Sequence, residues 1–452
     1  MSKYHHEIRD PIHAFIRLDS DERKVLDSRP LQRLRHIHQL AMTFLVYPGA
    51  THRRFEHSLG AMELASRVYD VITDPENIDP SVSGLLPRKD QVEHGTWRRT
   101  LRMAALCHDV GHLPFSHAAE KELLPEGWTH ERLTETIIES DELRKLWKRL
   151  HVNADEVAKL AVGPKHYRKK PFSELEAILA EIITGDAFGV DRIDYLLRDS
   201  HHAGVAYGRF DHYRLLDTLR VLPFQRAQKK SGTSKKGNAS GCSEETSTEP
   251  TLGMHEDGIH TAEALMLARY FMYTQLYFHP VRRIYDRHLQ DFLKAWLDGG
   301  QFSTQIEKHL ELTDNEVTAA LHRNAKERSS AGYDPARRIV YRQHYKQIYQ
   351  RNEEDIQKNP EAAHRVFEAA CSMFGPDNVK YDSYIQRSAG TDFPVLTDDD
   401  RVSSSMTIST ALAKMPVVAT EYVYVEPAIR ERAERWLKSN RARIIASQDR
   451  EE

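Results

Sequence analysis

The spacing of apolar residues predicts that most of this chain is helical. Met62, Ala65, Val68 and Ile72 recur at intervals of three and four residues, which is typical of a helix with one buried face. That helix should begin near Glu56 and end before the Pro- and Gly-bearing stretch 74–87. The same spacing predicts further helices at 101–108, from about 116, at 175–182, 190–201 and 259–280, and on to 297.

The two ends of the chain and one internal stretch have a different pattern. Residues 8–18 indicate a short extended piece before a helix around 27–40, and FPVLT (393–397) and EYVYVEP (421–427) indicate strands before a helix at 428–444. Residues 227–252 are rich in Ser, Thr, Gly, Lys and Glu, which indicates a flexible insertion. We therefore predict a core at 1–226, the insertion at 227–252, a helical continuation of the core at 253–358, and a small α+β unit at 359–452.

Composition narrows the class of protein. With 64 basic and 67 acidic residues the net charge is −3, so no overall field would draw the chain to nucleic acid or to a membrane. Cys107, Cys242 and Cys371 are widely separated, which favours a reducing compartment. The N-terminus lacks the apolar stretch of a signal peptide, and no run of 18 apolar residues occurs, so we expect a cytoplasmic protein.

The 25 histidines, several beside carboxylates, call for a search for a metal site. Four segments carry suitable ligands: RFEH (54–57), CHDVGH (107–112), PFSH (114–117) and VDRIDY (190–195). Each is weak alone, because a single histidine on an apolar helix face is usually a satisfied core residue. Together, two imidazoles and two carboxylates suit Mn, Fe or Zn, and burying all four without an ion would be costly.

The order of these residues resembles the HD-domain superfamily of phosphohydrolases, with His57, His108, Asp109 and Asp191 in the metal-ligand positions. PGATHRRFEHSLG, CHDVGHLPFSH, WTHE and DRIDYLLRDSHHAG more narrowly resemble the SAM-and-HD-domain, dGTPase-like branch of deoxynucleoside triphosphate (dNTP) triphosphohydrolases, across roughly residues 5 to 350. The resemblance implies a mainly α fold, a helical HD core followed by a small α+β C-terminal unit. It also implies one divalent transition metal (Mn, Fe or Zn), Mg with the nucleotide, and cleavage of a dNTP into deoxynucleoside and tripolyphosphate.

The resemblance also implies which residues assist the reaction. Histidines matching His112, His117 and His130 activate water or protonate the leaving group in that family. Glu120 stands three residues after His117, so its carboxylate could fix the tautomer of that imidazole, although the family often has Asp there. The ordinary alternatives are that His112 packs on a neighbouring proline and that His130 only begins a helix.

Substrate contacts follow from the same resemblance and from charge. A triphosphate site without the GxxxxGK[ST] motif, which is absent here, needs arginine or lysine to neutralise the phosphates. Asp191, Tyr195 and Arg198 form a polar helix stripe that should face the cleft, and Arg192 stands where the resembling enzymes carry Lys. Arg269, Tyr273 and Tyr277 share a helix face, which could equally be an aromatic core stripe. The candidates for substrate binding are Gln39, Leu40, Arg54, Arg192, Tyr195, Asp199, Arg269, Tyr273 and Tyr277.

The expectations about regulation and assembly rest on the resemblance alone. The family implies a preference for the deoxy sugar, a homo-oligomer (dimer or tetramer), an activating nucleotide, and a role in nucleotide-pool balance or antiviral defence. The matching regulatory residues are Asp27, Gln32, Arg35 and Arg342, but His6 stands where the family has Lys, and a solvated basic face is the alternative. Two other functions stay open: an HD phosphodiesterase or phosphohydrolase acting on a cyclic nucleotide, alarmone or monophosphate, and a non-catalytic nucleotide sensor.

Overall fold

The computed structural model describes residues 6–116, 120–224, 249–385 and 392–446. The structure is 58% helical and 13% strand, which confirms the mainly α fold with small sheets. No helix in these ranges is both long and apolar enough to cross a membrane.

The N-terminal half is a helical core that begins with a β-hairpin. Strands β1 (His6–Asp10) and β2 (Ala14–Leu18) pair antiparallel, with Ile8 opposite Ile16. The helices that follow are α1 (Ser20–Leu26), α2 (Arg29–Arg33), α3 (Arg54–Ile72), α4 (Val92–Cys107), α5 (Glu120–Leu123), α6 (His130–Ile138), α7 (Asp141–Leu150), α8 (Ala154–Val162), α9 (Glu174–Thr184), α10 (Val190–Ala203) and α11 (His212–Asp217). Helix α3 packs between α4 and α10, and its apolar face fills the largest hydrophobic cluster.

The next part of the chain adds a small sheet and a second helical layer. Strands β3 (Leu219–Phe224) and β4 (Glu249–His255) are antiparallel, and β4 continues into α12 (Ile259–Phe271) and a π-helical segment (Met272–Tyr277). Pro280 occupies the first position of α13 (Pro280–Trp296), where its missing N–H costs nothing. Three helices complete this layer: α14 (Ile306–Glu311), α15 (Asp314–Asn324) and α16 (Tyr333–Val340).

The C-terminal part contributes to two sheets. Strands β5 (Lys346–Gln350), β6 (Val379–Ile385) and β9 (Ala419–Val425) form one antiparallel sheet in the order β5-β9-β6. Strands β7 (Pro394–Leu396) and β8 (Val402–Ser404) instead extend the β3-β4 sheet. The remaining helices are α17 (Glu353–Lys358), α18 (Ala362–Phe374), α19 (Ser405–Ile408), α20 (Thr410–Ala413) and α21 (Arg430–Ile445).

The structure differs from the sequence-based boundaries in four places. The helix predicted around 27–40 is only α2, Arg29–Arg33, followed by a short 3-10 turn, and the chain is extended at Ile37. Residues 249–252 of the predicted insertion belong to β4, and the remainder, 227–248, lies outside the described residues. The helix expected from about 116 is described only from Glu120. The FPVLT segment of the predicted C-terminal unit pairs with β4, because its apolar residues complete the sheet that covers the main core.

Candidate functional site

The four predicted metal ligands lie together where three helices meet. His57 is in the first turn of α3, His108 and Asp109 directly follow α4, and Asp191 is the second residue of α10. One ligand atom each from His57, His108 and Asp109 can be chosen so that all lie within 4.8 Å of one another. The Oδ1 atom of Asp191 lies 3.1 Å from Nε2 of His57 and 3.5 Å from Nε2 of His108.

Both imidazoles have the hydrogen bonding that a metal ligand needs. Nδ1 of His57 lies 2.8 Å from a carboxylate oxygen of Asp194, and Nδ1 of His108 lies 2.7 Å from the carbonyl oxygen of Ala105. Donation from Nδ1 to these oxygens directs Nε2 of each ring towards the cluster, where it can bind an ion in place of a proton. Nε2 of His108 is buried and has no hydrogen-bond partner among the described residues. This orphaned nitrogen and the mixed N/O donor set fit a divalent transition ion.

The charges around the cluster also favour a cation. Burial opposes protonation of His57, but hydrogen bonds to Asp191 and Asp194 outweigh it and raise its pKa to about 10. Burial likewise opposes ionisation of Asp109, yet the neighbouring His108 and Arg54 hold its pKa well below its ordinary value. The carboxylates therefore stay ionised, and their field stabilises positive charge at the centre of the cluster.

A fully buried ion-pair network supports His57 from behind. Asp194 accepts from His13 at 2.7 Å and from Arg198 at 2.9 Å through both of its oxygens, and Arg198 also donates to Asp10 at 2.8 Å. Gly60 makes this approach possible, because a Cβ at that position would lie 1.9 Å from an Asp194 oxygen. The polar stripe on α10 predicts that Arg198 faces the cleft, but Arg198 points inward because Asp194, four residues earlier on α10, binds it.

A cavity of about 750 Å³ lies beside the cluster, within the usual range for small-ligand sites. Arg54 connects the two, since its Nη1 donates to Asp109 at 2.5 Å while its side chain lines the cavity. The predicted substrate residues that line the cavity are Gln39, Leu40, Arg54, Tyr195, Asp199, Tyr273 and Tyr277. Tyr273 and Tyr277 therefore border open space, and Tyr277 also packs against the main hydrophobic cluster. The π-helical segment that carries them is a feature common at functional sites.

Two of the predicted phosphate-binding arginines do not line this cavity. Nη1 of Arg192 donates to the backbone carbonyls of Gly185 and Asp186. Those carbonyls follow the end of α9, where helix-terminal oxygens need donors. Arg269 lies over the ring of Tyr273 and borders a separate small groove.

Two of the predicted proton-transfer residues, Glu120 and His130, line the same cavity as Arg54. Nδ1 of His130 is 2.6 Å from a Glu120 carboxylate oxygen, and the rings of His130 and His112 stack at 4.1 Å. Burial opposes ionisation of both members of the pair, but their hydrogen bond lowers the pKa of Glu120 and raises that of His130. Burial and Arg54 instead lower the pKa of His112. His117, the partner that the sequence analysis gave to Glu120, lies outside the described residues.

Asp199 and its neighbours form a smaller network at the cavity wall. One Asp199 oxygen accepts from the Tyr277 hydroxyl at 2.7 Å, and the other lies 2.7 Å from Nε2 of His52. His52 stacks on His202 at 4.5 Å. His52 is not among the predicted site residues, although it lies within the PGATHRRFEHSLG segment, whose motif could have indicated it.

The predicted regulatory residues lie on the surface of two segments. Asp27 accepts from Arg23 at the end of α1, and Arg35 donates to Gln32 and lies 3.5 Å above the ring of Phe55. Arg342, in a left-handed backbone conformation, donates to the carbonyl of Leu45. His6 is the first residue of β1, opposite Leu18.

Comparison with known proteins agrees with this arrangement. Residues 54–199 match the family model described as HD domain, and residues 243–373 match the HD associated region. A crystal structure of a hypothetical protein from Aquifex aeolicus matches with a TM-score of 0.75 and 30% identity, covering 96% of this chain and 99% of that one.

Two curated relatives match part of their length. An uncharacterized protein of Methanocaldococcus jannaschii is 35% identical over 62% of this chain and 47% of its own. The deoxynucleoside triphosphate triphosphohydrolase SAMHD1 of Homo sapiens is 29% identical over 68% of this chain and 49% of its own. The chain thus spans about half the length of these relatives. On these matches and the clustered His and Asp ligands, the chain belongs to the HD-domain family of metal-dependent phosphohydrolases and is related to the SAMHD1 branch.

Proposed function

We propose that this protein is a dNTP triphosphohydrolase that cleaves its substrate at the α-phosphate and releases a deoxynucleoside and tripolyphosphate. The observation that carries the proposal is the position of Arg54, which contacts the metal-ligand cluster at Asp109 and also lines a cavity large enough for a nucleotide. The name of the human relative states this activity.

In this proposal His57, His108, Asp109 and Asp191 hold one divalent transition ion, Mn, Fe or Zn. A bound ion of this kind acts as a Lewis acid and lowers the pKa of water, so that a nucleophile forms near neutral pH. Mg²⁺ would accompany the nucleotide itself. The orphaned Nε2 of His108 supports the assignment, because a buried nitrogen without a partner is costly unless something binds it.

The protein's own side chains would position phosphate and move a proton. Arg54 is held by Ser116 and Asp109 through Nε and Nη1, so its charge is fixed beside the cluster to neutralise the triphosphate. The oxygen of water bonds to the α-phosphorus, the bond from that phosphorus to O5′ breaks, and O5′ takes up a proton. His130 is suited to supply that proton, because the Glu120 carboxylate at its Nδ1 favours the protonated ring.

The proposal includes selection of the deoxy sugar at the Tyr277 side of the cavity. The hydroxyl of Tyr277 is bound to Asp199, so the ring is held in place and cannot easily move aside for an added 2′-hydroxyl. Ribonucleotides should therefore be poorer substrates than the matching dNTPs. Assembly into a dimer or tetramer, with an activating nucleotide near Asp27, Gln32, Arg35 and Arg342, completes the proposal and is open to native mass spectrometry with and without nucleotide.

Product analysis tests the proposed reaction. The protein is incubated with Mn²⁺ and each of the four dNTPs, the four NTPs, a cyclic nucleotide, an alarmone and a monophosphate, and the products are separated by anion exchange. Tripolyphosphate and deoxynucleoside from a dNTP are the expected products. Orthophosphate or pyrophosphate would assign the site to a different phosphohydrolase reaction, and tight dNTP binding without turnover would make it a sensor.

Substitution of a ligand tests the assigned site. Asp109→Ala should abolish both metal binding, measured by elemental analysis, and turnover, because it removes a ligand and frees Arg54. Asp90→Ala is the matched control, since the side chain of Asp90 is 74% exposed and belongs to none of the His and Asp clusters found among the described residues. Full activity in Asp109→Ala would refute the assignment.

A further inference from the structure

We propose that the C-terminal unit completes the substrate cavity and that Tyr384, on β6, is the platform on which the nucleobase stacks. This inference rests on the proposed function and adds to it a binding residue on a part of the chain to which the sequence analysis gave no role. Five observations support it: the position of Tyr384, the way β6 is fixed, the way the turn carrying Phe278 is fixed, a row of aromatic rings, and a carboxylate oxygen without a hydrogen bond.

Tyr384 borders the same cavity as Arg54. Phe278 covers one face of its ring, with the ring centroids 4.2 Å apart and the planes 27° from parallel. Phe278 is buried, whereas Tyr384 keeps 36% of its surface exposed. An exposed aromatic face at a cavity wall, supported from behind by a second ring, is the arrangement that binds a planar base by stacking.

Strand β6 is fixed to α13 by side chains from one of its faces. Alternate residues of a strand point to the same side, and here Lys380, Asp382 and Tyr384 do so. Lys380 donates to Asp291 at 3.1 Å, and Asp382 accepts twice from Arg283 at 2.7 Å. Because both contacts are ion pairs with α13, the position of Tyr384 at the end of this row is set by the fold.

The neighbouring strand of the same sheet fixes the turn that carries Phe278. The hydroxyl of Tyr422 donates to the carbonyl of Phe278 at 2.9 Å, and the hydroxyl of Tyr424 donates to the carbonyl of Pro280 at 2.9 Å. The C-terminal sheet therefore holds both rings of the stacked pair. The sheet is therefore part of the cavity wall.

The aromatic pair ends a row of rings that begins at the metal-ligand helix. Tyr195 lies four residues after Asp191 on α10, and its ring is 6.1 Å from that of Tyr277. Tyr273 lies 5.1 Å from Tyr277 and 5.4 Å from Phe278. All of these rings line the cavity. A substrate with its phosphates at Arg54 and its base at Tyr384 would lie along this row.

One oxygen of a buried carboxylate that lines the same cavity as Tyr384 has no hydrogen bond among the described residues. Asp286 lines the cavity, is 2% exposed, and its Oδ1 has no hydrogen bond among the described residues. Its other oxygen is 3.6 Å from Arg282 and 3.9 Å from Arg283. A buried, unpaired acceptor is costly unless a ligand supplies a donor, and the N–H groups of a nucleobase are such donors.

Equilibrium binding separates stacking from a structural role. Each dNTP, and tripolyphosphate as the ligand that lacks a base, is titrated calorimetrically into metal-chelated wild type, Tyr384→Leu and Tyr384→Phe. Tyr213→Leu is the control, because Tyr213 is 54% exposed and lies outside the cavity lining. Tyr384→Leu should weaken all four dNTPs by roughly 5- to 150-fold, since stacking tolerates every base, and leave tripolyphosphate binding unchanged. Tyr384→Phe and Tyr213→Leu should resemble wild type.

Three results would overturn the inference. If Tyr384→Leu weakens the binding of dNTPs and of tripolyphosphate equally, Tyr384 has only a structural role. If it weakens the binding of neither ligand, Tyr384 is not part of the site. If Tyr384→Phe loses as much dNTP affinity as Tyr384→Leu, the ring does not act by stacking. Failure of the proposed function is a separate outcome, in which wild type itself neither binds nor hydrolyses any dNTP.

Discussion

Removing the buried guanidinium of Arg198 should destabilise the core and weaken metal binding together. Arg198→Met keeps most of the side-chain volume but deletes three charge-assisted hydrogen bonds of 2.8–2.9 Å. Asp194 would keep its contacts with His13 and His57, and Asp10 would keep two backbone N–H donors at 2.9 Å. Breaking a buried ion pair from one side costs about 3–5 kcal/mol, and these remaining partners favour the lower end, about 3 kcal/mol.

Arg198→Met should also lower the affinity for the metal ion, because Arg198 holds Asp194. Asp194 orients His57, and loss of the Asp194–His57 contact itself would lower metal affinity about 10- to 100-fold. Arg198→Met keeps this contact but holds Asp194 less firmly, so metal affinity should fall by about tenfold or less. Hydrogen-exchange mass spectrometry under increasing urea would report the free energy of opening of α3 and α10 separately from α21. Mn²⁺ titration by calorimetry would report the affinity.

A surface ion pair provides the matched control. Arg17 pairs with Glu7, and their side chains are 59% and 51% exposed, so Arg17→Met should cost less than about 1 kcal/mol and leave affinity unchanged. If Arg198→Met loses as little stability as this control, the energetic reasoning is wrong. If stability falls but metal affinity does not, the network supports the fold and has no influence on His57.

Three further predictions concern the same region. Gly60→Ala should weaken Mn²⁺ binding at least about tenfold in calorimetry, since its Cβ would displace Asp194, whereas Gly84→Ala, where a Cβ meets nothing within 4 Å, should not. Glu120→Gln should destabilise the protein most between about pH 4.5 and 6.5 in urea unfolding. Because folding lowers the pKa of Glu120, its carboxylate stabilises the folded state fully above pH 4.5, and this contribution is lost as the pH falls through the lowered pKa. Because folding raises the pKa of His130, its ring stabilises the folded state fully below pH 6.5, and this contribution is lost as the pH rises through the raised pKa. A difference in stability that does not depend on pH would contradict this prediction. Removal of the metal with a chelator should lower the melting temperature. Mn²⁺ at 100 times its Kd should raise the free energy of unfolding by about 2.7 kcal/mol. Equal melting temperatures with and without the ion would count against the site.

The sequence predicted the helices well, and the residues proposed as metal ligands lie together, because both patterns are encoded locally. Apolar spacing alone located α3, α9 and α10 to within a few residues. His57, His108 and Asp191 were identified from short segments whose residues keep their relative positions on the ends of these helices. A pattern of this kind needs no knowledge of the tertiary structure.

Long side chains were harder to predict because they select partners in three dimensions. Glu120 binds His130, ten residues away, because α6 begins against Gly111, where a Cβ would lie 2.2 Å from the His130 carbonyl oxygen. Arg192 turns back to the carbonyls beyond α9 instead of entering the cavity. Tyr384 is more than 100 residues from Phe278, and no periodicity relates the two.

The placement of β7 has a consequence for how the chain must be assembled during translation. Its Val395 pairs in parallel with Met254 of β4, roughly 140 residues earlier, so that edge stays unpaired until ribosomal synthesis has passed β7. At 5–20 residues per second the interval is about 7–30 s, during which an open strand edge is exposed to other chains. We therefore expect nascent chains stalled before Phe393 to bind chaperones more strongly than chains stalled after β8, which crosslinking of ribosome-bound chains would measure.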